Sequence, residues 1–332
     1  PYSVQLLALI SNFNILTAML PLGICGAFRV PIIVGKIIQQ LEIYKIDPAA
    51  PMASVPIMGA FSAGFPSPAT DYTGDRIDLN DIFIKDSGNT YYARVKGYDL
   101  LEGDLSPGDA LLFDSSLRPR KGDLAVCNID GEVLLKFIDR REGLYCLVDG
   151  ADSNVEMLDK ECSSYVMGIV TTLFILRRNR GRRTLPRWGI RRKEEKPTKK
   201  RAIRWGYTPD GEDDAKTLVD LNKELIKHPI YAGFGIIAGP SLREDAIDDG
   251  DSVIIDTIIE PIENDLVVSY RQGEFMIKYI EVRGGELWLV PGNRDYQPIR
   301  ISEEEDTRKL VWGIVTYSIK QLRKLDGKKR TA

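Results

Sequence analysis

Short apolar runs separated by turn signals dominate two long stretches of the chain. In the first, residues 90–96, 110–114, 123–128, 132–138, 144–148 and 165–173 are rich in Val, Ile, Leu, Phe and Tyr and are bounded by Gly, Asp, Asn or Pro. Runs of this length and composition predict strands rather than helices. Asp130-Gly131 lies between two of them and predicts a two-residue hairpin, because the centre of such a turn needs positive φ and glycine adopts it without steric penalty. Helical periodicity is nearly absent, apart from a short turn around 79–84. The expected class is mostly β.

The second stretch repeats the first at a fixed offset of 142 residues, with Gln272-Gly273 at the hairpin and 310–319 as its last strand. Asp78-Leu79-Asn80 maps onto Asp220-Leu221-Asn222, Gly108-Asp109 onto Gly250-Asp251, Asp123-Leu124 onto Asp265-Leu266, and Lys136 onto Lys278. Residues 76–148 and 218–290 share 23 identities over 73 aligned positions without a gap, far above what shared composition produces. The chain is an internal duplication, and two similar folds on one chain are expected to pack as a covalent pseudo-dimer. One position breaks the match: Ser241 stands where the first copy has Asp99.

That exchange carries the candidate chemistry. Ser241 lies in Gly239-Pro240-Ser241-Leu242, and Lys278 is set among apolar residues in Glu274-Phe275-Met276-Ile277-Lys278-Tyr279-Ile280. A serine hydroxyl becomes a useful nucleophile when a base takes its proton, and a lysine can be that base if burial disfavours its charged form. Histidine activation has little support, since the single histidine, His228, has no triad spacing around it. Taken alone, a serine after a proline reads as a turn residue. The matched lysine and the repeat register favour a Ser241/Lys278 dyad. In the first copy, Lys136 with Asp99 reads as a vestigial site held by a buried ion pair.

Composition adds boundaries. The 332 residues are 43% hydrophobic and 28% charged, enough for two or three packed domains. Cys25, Cys127, Cys146 and Cys162 show no paired spacing, which points to a reduced, cytoplasmic chain without a cysteine metal site. The net charge of -3 conceals a basic run at 177–204, with fourteen Lys/Arg against two Glu. Such a run reads either as a solvated linker or as a track for a phosphate backbone, in which case its affinity for DNA falls steeply with salt. Residues 4–28 carry no charge; they fit a membrane span or an apolar arm that packs on the body or on a partner. No helix-turn-helix pattern precedes residue 57, and the start at Pro1 suggests a fragment or a processed end. Residues 54–71, rich in Pro, Gly and Ser, predict a mobile arm without regular secondary structure.

The arm supplies a family resemblance. Ala63-Gly64-Phe65-Pro66-Ser67-Pro68-Ala69, followed by Arg76-Ile77-Asp78-Leu79-Asn80, resembles the cleavage arm of the UmuD/LexA-like self-cleaving serine/lysine peptidases, where the cut falls just before the glycine. Gly97-Tyr98-Asp99-Leu100 takes the place of that family's Gly-x-Ser-Met, so the first copy lacks the nucleophile. The second copy keeps Ser241 and Lys278, but at its own counterpart of the scissile bond, Trp205-Gly206, a bulky residue replaces the small one.

The resemblance implies a UmuD-like domain without its serine at 57–176 and a peptidase domain at 205–325; it leaves uncovered the apolar N-terminal arm expected at 1–56 and the basic linker at 177–204. It implies a hydrolase in which Ser241/Lys278 cuts Ala63-Gly64 in the arm of the first copy and releases residues 1–63, with no metal or cofactor. It further implies action in the SOS response to DNA damage, stimulation by a RecA-DNA filament, and a translesion DNA polymerase subunit as partner. Two rivals come from other classes. One is a membrane-anchored, signal-peptidase-like Ser/Lys protease; the other is a catalytically inactive scaffold for a polymerase or DNA.

Overall fold

The computed structural model describes residues 41–47, 55–62, 67–68, 76–96, 105–129, 131–141, 144–148, 155–157, 165–178, 218–239, 242–271, 274–302 and 310–323. Three short strands come first, β1 (Leu41–Ile46), β2 (Val55–Ser62) and β3 (Ser67–Pro68). The first copy follows with β4 (Arg76–Ile77), helix α1 (Leu79–Phe83), β5 (Thr90–Val95), β6 (Ala110–Asp114), β7 (Leu124–Ile129), β8 (Glu132–Arg141), β9 (Leu144–Val148), β10 (Val155–Met157) and β11 (Tyr165–Leu176). The second copy contains β12 (Leu218–Val219), α2 (Leu221–Leu225), β13 (Ala232–Ala238), β14 (Ser252–Asp256), β15 (Leu266–Arg271), β16 (Glu274–Arg283), β17 (Glu286–Val290), β18 (Ile299–Arg300) and β19 (Val311–Gln321). From β4 to β9 each element has its counterpart 142 residues later.

Both copies pair their strands in one order. In the first, β5–β6–β11–β7–β8–β9–β10 are hydrogen-bonded neighbours; in the second, β13–β14–β19–β15–β16–β17–β18 are. β7 and β8 form the hairpin expected at Asp130-Gly131, with Ile129 opposite Glu132 and Gly131 at φ 88°. Each last strand bends across its sheet at a register shift, and a glycine permits the close approach. A Cβ on Gly168 would lie 2.6 Å from the Phe113 ring and 2.9 Å from the Asp114 carbonyl oxygen. Gly313 has the same role against Ile255 and Asp256.

The copies meet along a local two-fold. β11 and β19 pair antiparallel, from Thr172 opposite Gln321 to Leu176 opposite Tyr317. Beside them the repeated Asp-Leu-Asn motif acts twice. Asp78 caps α1 by accepting from the Asn80 N–H at 2.8 Å, and Asp220 caps α2 from the Asn222 N–H at 3.0 Å. Each asparagine then reaches across. The Asn80 amide donates to Asp220 at 2.9 Å and its oxygen accepts the Leu221 N–H at 3.0 Å; the Asn222 amide donates to Asp78 at 2.7 Å and its oxygen accepts the Leu79 N–H at 3.1 Å. The short helices therefore satisfy part of each other's exposed N-terminal N–H groups. Leu79, Phe83 and Phe174 pack with Leu221, Leu225 and Phe234 in one core shared by both copies.

β1 and β2 cover the free edges. β1 runs antiparallel to β5, from Leu41 opposite Val95 to Lys45 opposite Tyr91, and also pairs parallel with β12 of the second copy. β2 runs parallel to β13 and pairs with β4 of the first copy. Residues 54–71 were expected to lack regular structure, and β2 corrects this. Its pairing is supplied by the edge of β13, and its proline stands second in the strand, where an edge position tolerates a missing N–H. Residues 4–28 lie outside the described residues. Among those described, no helix is long and apolar enough to cross a membrane.

Candidate active site

Lys278 sits in the middle of β16, opposite Val267 of β15, and is 4% exposed. Burial holds its ammonium below the ordinary lysine range, because a charged group loses solvation there. Its neighbours Ile277 and Tyr279 point into the core of the second copy, as the alternation of a strand requires. Lys136, its counterpart on β8, is opposite Ala125 and remains partly exposed.

Ser241 lies outside the described residues, as do Asp99, Ala63, Gly64 and Trp205-Gly206. The Lys136–Asp99 ion pair expected from the sequence therefore falls outside them too. Gly239 and Leu242, on either side of the Pro240-Ser241 pair, are described. Gly239 ends β13 at φ 93°, a conformation open to glycine, and its N–H donates to Asp249 at 2.9 Å. Leu242 is fully buried and opens a single 3-10 turn, Arg243–Asp245, closed by the Asp245 N–H on the Leu242 carbonyl at 3.0 Å. Leu242 and Tyr279 belong to one hydrophobic cluster. The residue after the candidate nucleophile and the residue after the candidate base are thus anchored in the same core.

β2, which precedes the arm motif in sequence, pairs with two strands of the second copy, β13 and β16. Ser62, the last residue of β2, is the register partner of both Ala238 on β13 and Met276 on β16, and it runs parallel to each. Ala238 precedes Ser241 by three positions, and Met276 precedes Lys278 by two. Because the pairing is parallel, β2 runs in the direction in which β16 proceeds to Lys278. At a strand rise of about 3.3 Å per residue, Lys278 is roughly 7 Å further along β16 than the partner of Ser62. Ser67 and Pro68 then pair antiparallel with Phe275 and Glu274, so the chain reverses direction between Ser62 and Ser67. In sequence, Ala63 and Gly64 follow Ser62 directly. On the edge of β16 that receives the arm, β17 pairs from Tyr279 onward. No described strand pairs there with Ile277 or Lys278.

Two other sequence candidates find partners. His228 is hydrogen-bonded through Nδ1 to Asp256 at 2.7 Å. Of the basic run, Arg177 is buried, donating to the Ser318 hydroxyl at 2.7 Å and to the Asp245 carbonyl at 3.2 Å, and Arg178 is paired with Asp265 at 3.2 Å. These two cations serve the body of the protein, and 179–204 lie outside the described residues. Sequence reasoning missed the docking of β1 and β2. The apolar positions Leu41, Ile43 and Ile46 were a usable signal for the first; for β2, only the proximity of the arm motif hinted at it.

The described residues form a β fold repeated twice, and its second copy buries a lysine. A family model described as Peptidase S24-like matches residues 56–169 and 201–316, more than half of the chain. The chain belongs to this S24, LexA/UmuD-like family of self-cleaving peptidases, and it carries the domain twice. Among curated proteins, Protein ImpA of Salmonella typhimurium is 39% identical over 74 residues, 22% of this chain and 51% of that protein. Protein MucA of Salmonella typhimurium is 29% identical over 135 residues, 40% of this chain and 92% of that protein. The LexA repressor of Desulfatibacillum aliphaticivorans is 28% identical over 102 residues, 31% of this chain and 49% of that protein. The chain spans about half the length of ImpA and of this LexA repressor.

Proposed function

We propose that the second copy is a serine endopeptidase that cuts the arm of the first copy between Ala63 and Gly64. One observation carries this reading: Ser62 is held between the strand leading to Ser241 and the strand holding Lys278, parallel to both. Lys278, whose neutral form burial favours, takes the proton of the Ser241 hydroxyl as the oxygen attacks the Ala63 carbonyl. Backbone N–H groups near Ser241 stabilise the oxyanion. The lysine then passes the proton to the Gly64 nitrogen as the peptide bond breaks, and water releases Ala63 from the serine ester. The opposite directions of β2 and β3 along β16 favour a small residue followed by glycine between them, since glycine bends where larger residues resist.

Incubation of the purified chain at alkaline pH, followed by intact-mass measurement, tests the reading. Two pieces with their boundary at 63/64 are expected from the wild type and none from Ser241→Ala or Lys278→Ala. A Ser241→Ala protein purified to homogeneity and still cut after Ala63 removes the second copy as the protease.

The family resemblance extends the proposal to physiology: a cytoplasmic protein of the SOS response, stimulated by a RecA-DNA filament, whose trimmed form serves a translesion DNA polymerase. An activated filament should accelerate the cut severalfold or more; equal rates with and without it remove the pathway reading while leaving the peptidase. Contact with DNA through 179–204 belongs to the same proposal, and salt-independent binding would contradict it.

A further inference from the structure

We infer that the N-terminal product of this cut stays bound as a noncovalent subunit instead of leaving. The inference rests on the proposed cleavage at Ala63-Gly64, which separates residues 1–63 from the rest. Residues 40 onward nevertheless belong to the same compact unit as both copies. Two strands of the product, β1 and β2, are built into that unit, and each spans both copies in a reciprocal way. β1 pairs with β5 of the first copy and β12 of the second; β2 pairs with β13 of the second and β4 of the first. None of these pairings lies beyond Ser62.

Side chains anchor β1 at both ends. Leu41 is fully buried in the core of the first copy, and Ile46 is 4% exposed in the core shared by the two copies. Between them Glu42 accepts from the Tyr44 hydroxyl at 2.6 Å and pairs with Lys96 at 3.0 Å, and the Asp47 N–H donates to the Val219 carbonyl at 2.9 Å. Departure of the product would strip both anchors from their cores and leave two sheet edges, β5 and β13, with unpaired N–H and C=O groups. Hydrolysis of one peptide bond beyond Ser62 removes none of these contacts. The cut then acts by freeing the chain end at Gly64 while the fold keeps its two covering strands.

The test separates retention from self-cleavage. In the full chain with Ser241→Ala, residues 63–66 are replaced by the recognition sequence of a site-specific protease, and that protease makes the cut. Native size-exclusion chromatography at micromolar concentration, followed by intact mass, should find both pieces in one peak, parting only in denaturant. Elution of the N-terminal piece by itself overturns the inference, whether or not Ser241 is the natural nucleophile. A second protein carries Leu41→Asp and Ile46→Asp in addition. Before cutting, circular dichroism reports whether its body keeps the β fold; after cutting, at least a tenfold rise in the dissociated fraction is expected. Retention unchanged by these two substitutions in a folded body would overturn the assignment of β1 as the anchor and leave β2 to hold the product.

Discussion

The two copies share a strand order, a helix cap and a bulged last strand, yet they treat one lysine differently. Lys278 is 4% exposed and its strand edge carries the arm; Lys136 is partly exposed, and no described strand pairs with residues 132–134 on the corresponding edge of β8. The covering strands differ as well. β2 runs parallel to β13, toward that strand's C-terminal end, whereas β1 runs antiparallel to β5, away from that strand's C-terminal end. A strand in the reversed direction closes an edge as well as a parallel one does, but it does not present a peptide bond to the same groups. The fold is maintained by contacts common to both copies, while catalysis needs burial, nucleophile and strand direction together. Among the described residues, the buried lysine and the parallel covering strand both belong to the second copy, which also holds the serine in sequence.

The largest effect expected from this comparison is kinetic. Lys278→Ala should slow self-cleavage by at least about 100-fold, the usual range for losing a general base, and Lys136→Ala should leave the rate within a factor of two. Time courses of intact mass at one alkaline pH measure both. Equal losses in the two variants would break the assignment of unequal roles.

The next effect is on pH dependence. Only neutral Lys278 accepts a proton, so the rate should rise about tenfold per pH unit and level off below about 10.4, the ordinary lysine value, because burial lowers this pKa. Stability follows with a defined sign. Between the lowered folded pKa and the unfolded value the unfolded chain binds more protons, so stability increases with pH through that window. Below it the penalty on the buried charge is fully present. Lys278→Met should therefore be the more stable protein at neutral pH, with the difference vanishing above about pH 10.4. Thermal unfolding at both pH values checks it; a variant less stable than wild type at neutral pH would mean the lysine is held by stabilising contacts.

Much of this was legible in the residues because the duplication tests itself. The offset of 142 predicted matching strands, and apolar runs bounded by Gly and Asp located most of them within three residues. The buried lysine was readable from its apolar neighbours on β16. Strand direction was not. Parallel and antiparallel edge pairing ask for the same side chains, so nothing in Val55–Ser62 announces that it runs with β13. The reciprocal Asp-Asn clamp was visible only as a repeated motif, since its bonds join residues 140 to 144 positions apart.

Smaller effects are expected where the copies are alike in kind and differ in tightness. Gly168→Ala should cost about 1–3 kcal/mol, the range for overpacking a filled core. Its added methyl meets the Asp114 carbonyl oxygen at 2.9 Å, where Gly313→Ala meets that of Asp256 at 3.2 Å, and so should cost less. Urea titrations rank the pair. The reverse order would mean that the bend of β11 relaxes more readily than that of β19.

The smallest difference should appear at the clamp, where the two-fold is most nearly kept. Asn222→Ala removes the acceptor of the Leu79 N–H and the donor to Asp78, and Asn80→Ala removes the acceptor of the Leu221 N–H and the donor to Asp220. Each loss leaves a polar group without its partner, at about 1–3 kcal/mol. Asn222 is 2% exposed and Asn80 only partly buried, so water replaces the lost bonds better at Asn80 and its variant should be the milder by about 1 kcal/mol or less. The double variant adds a sharper reading. The two asparagines share the same pair of aspartates, so the combined loss should fall short of or exceed the sum by at least about 0.5 kcal/mol, as for residues in one network. Strict additivity would show two independent helix caps rather than one clamp joining the copies.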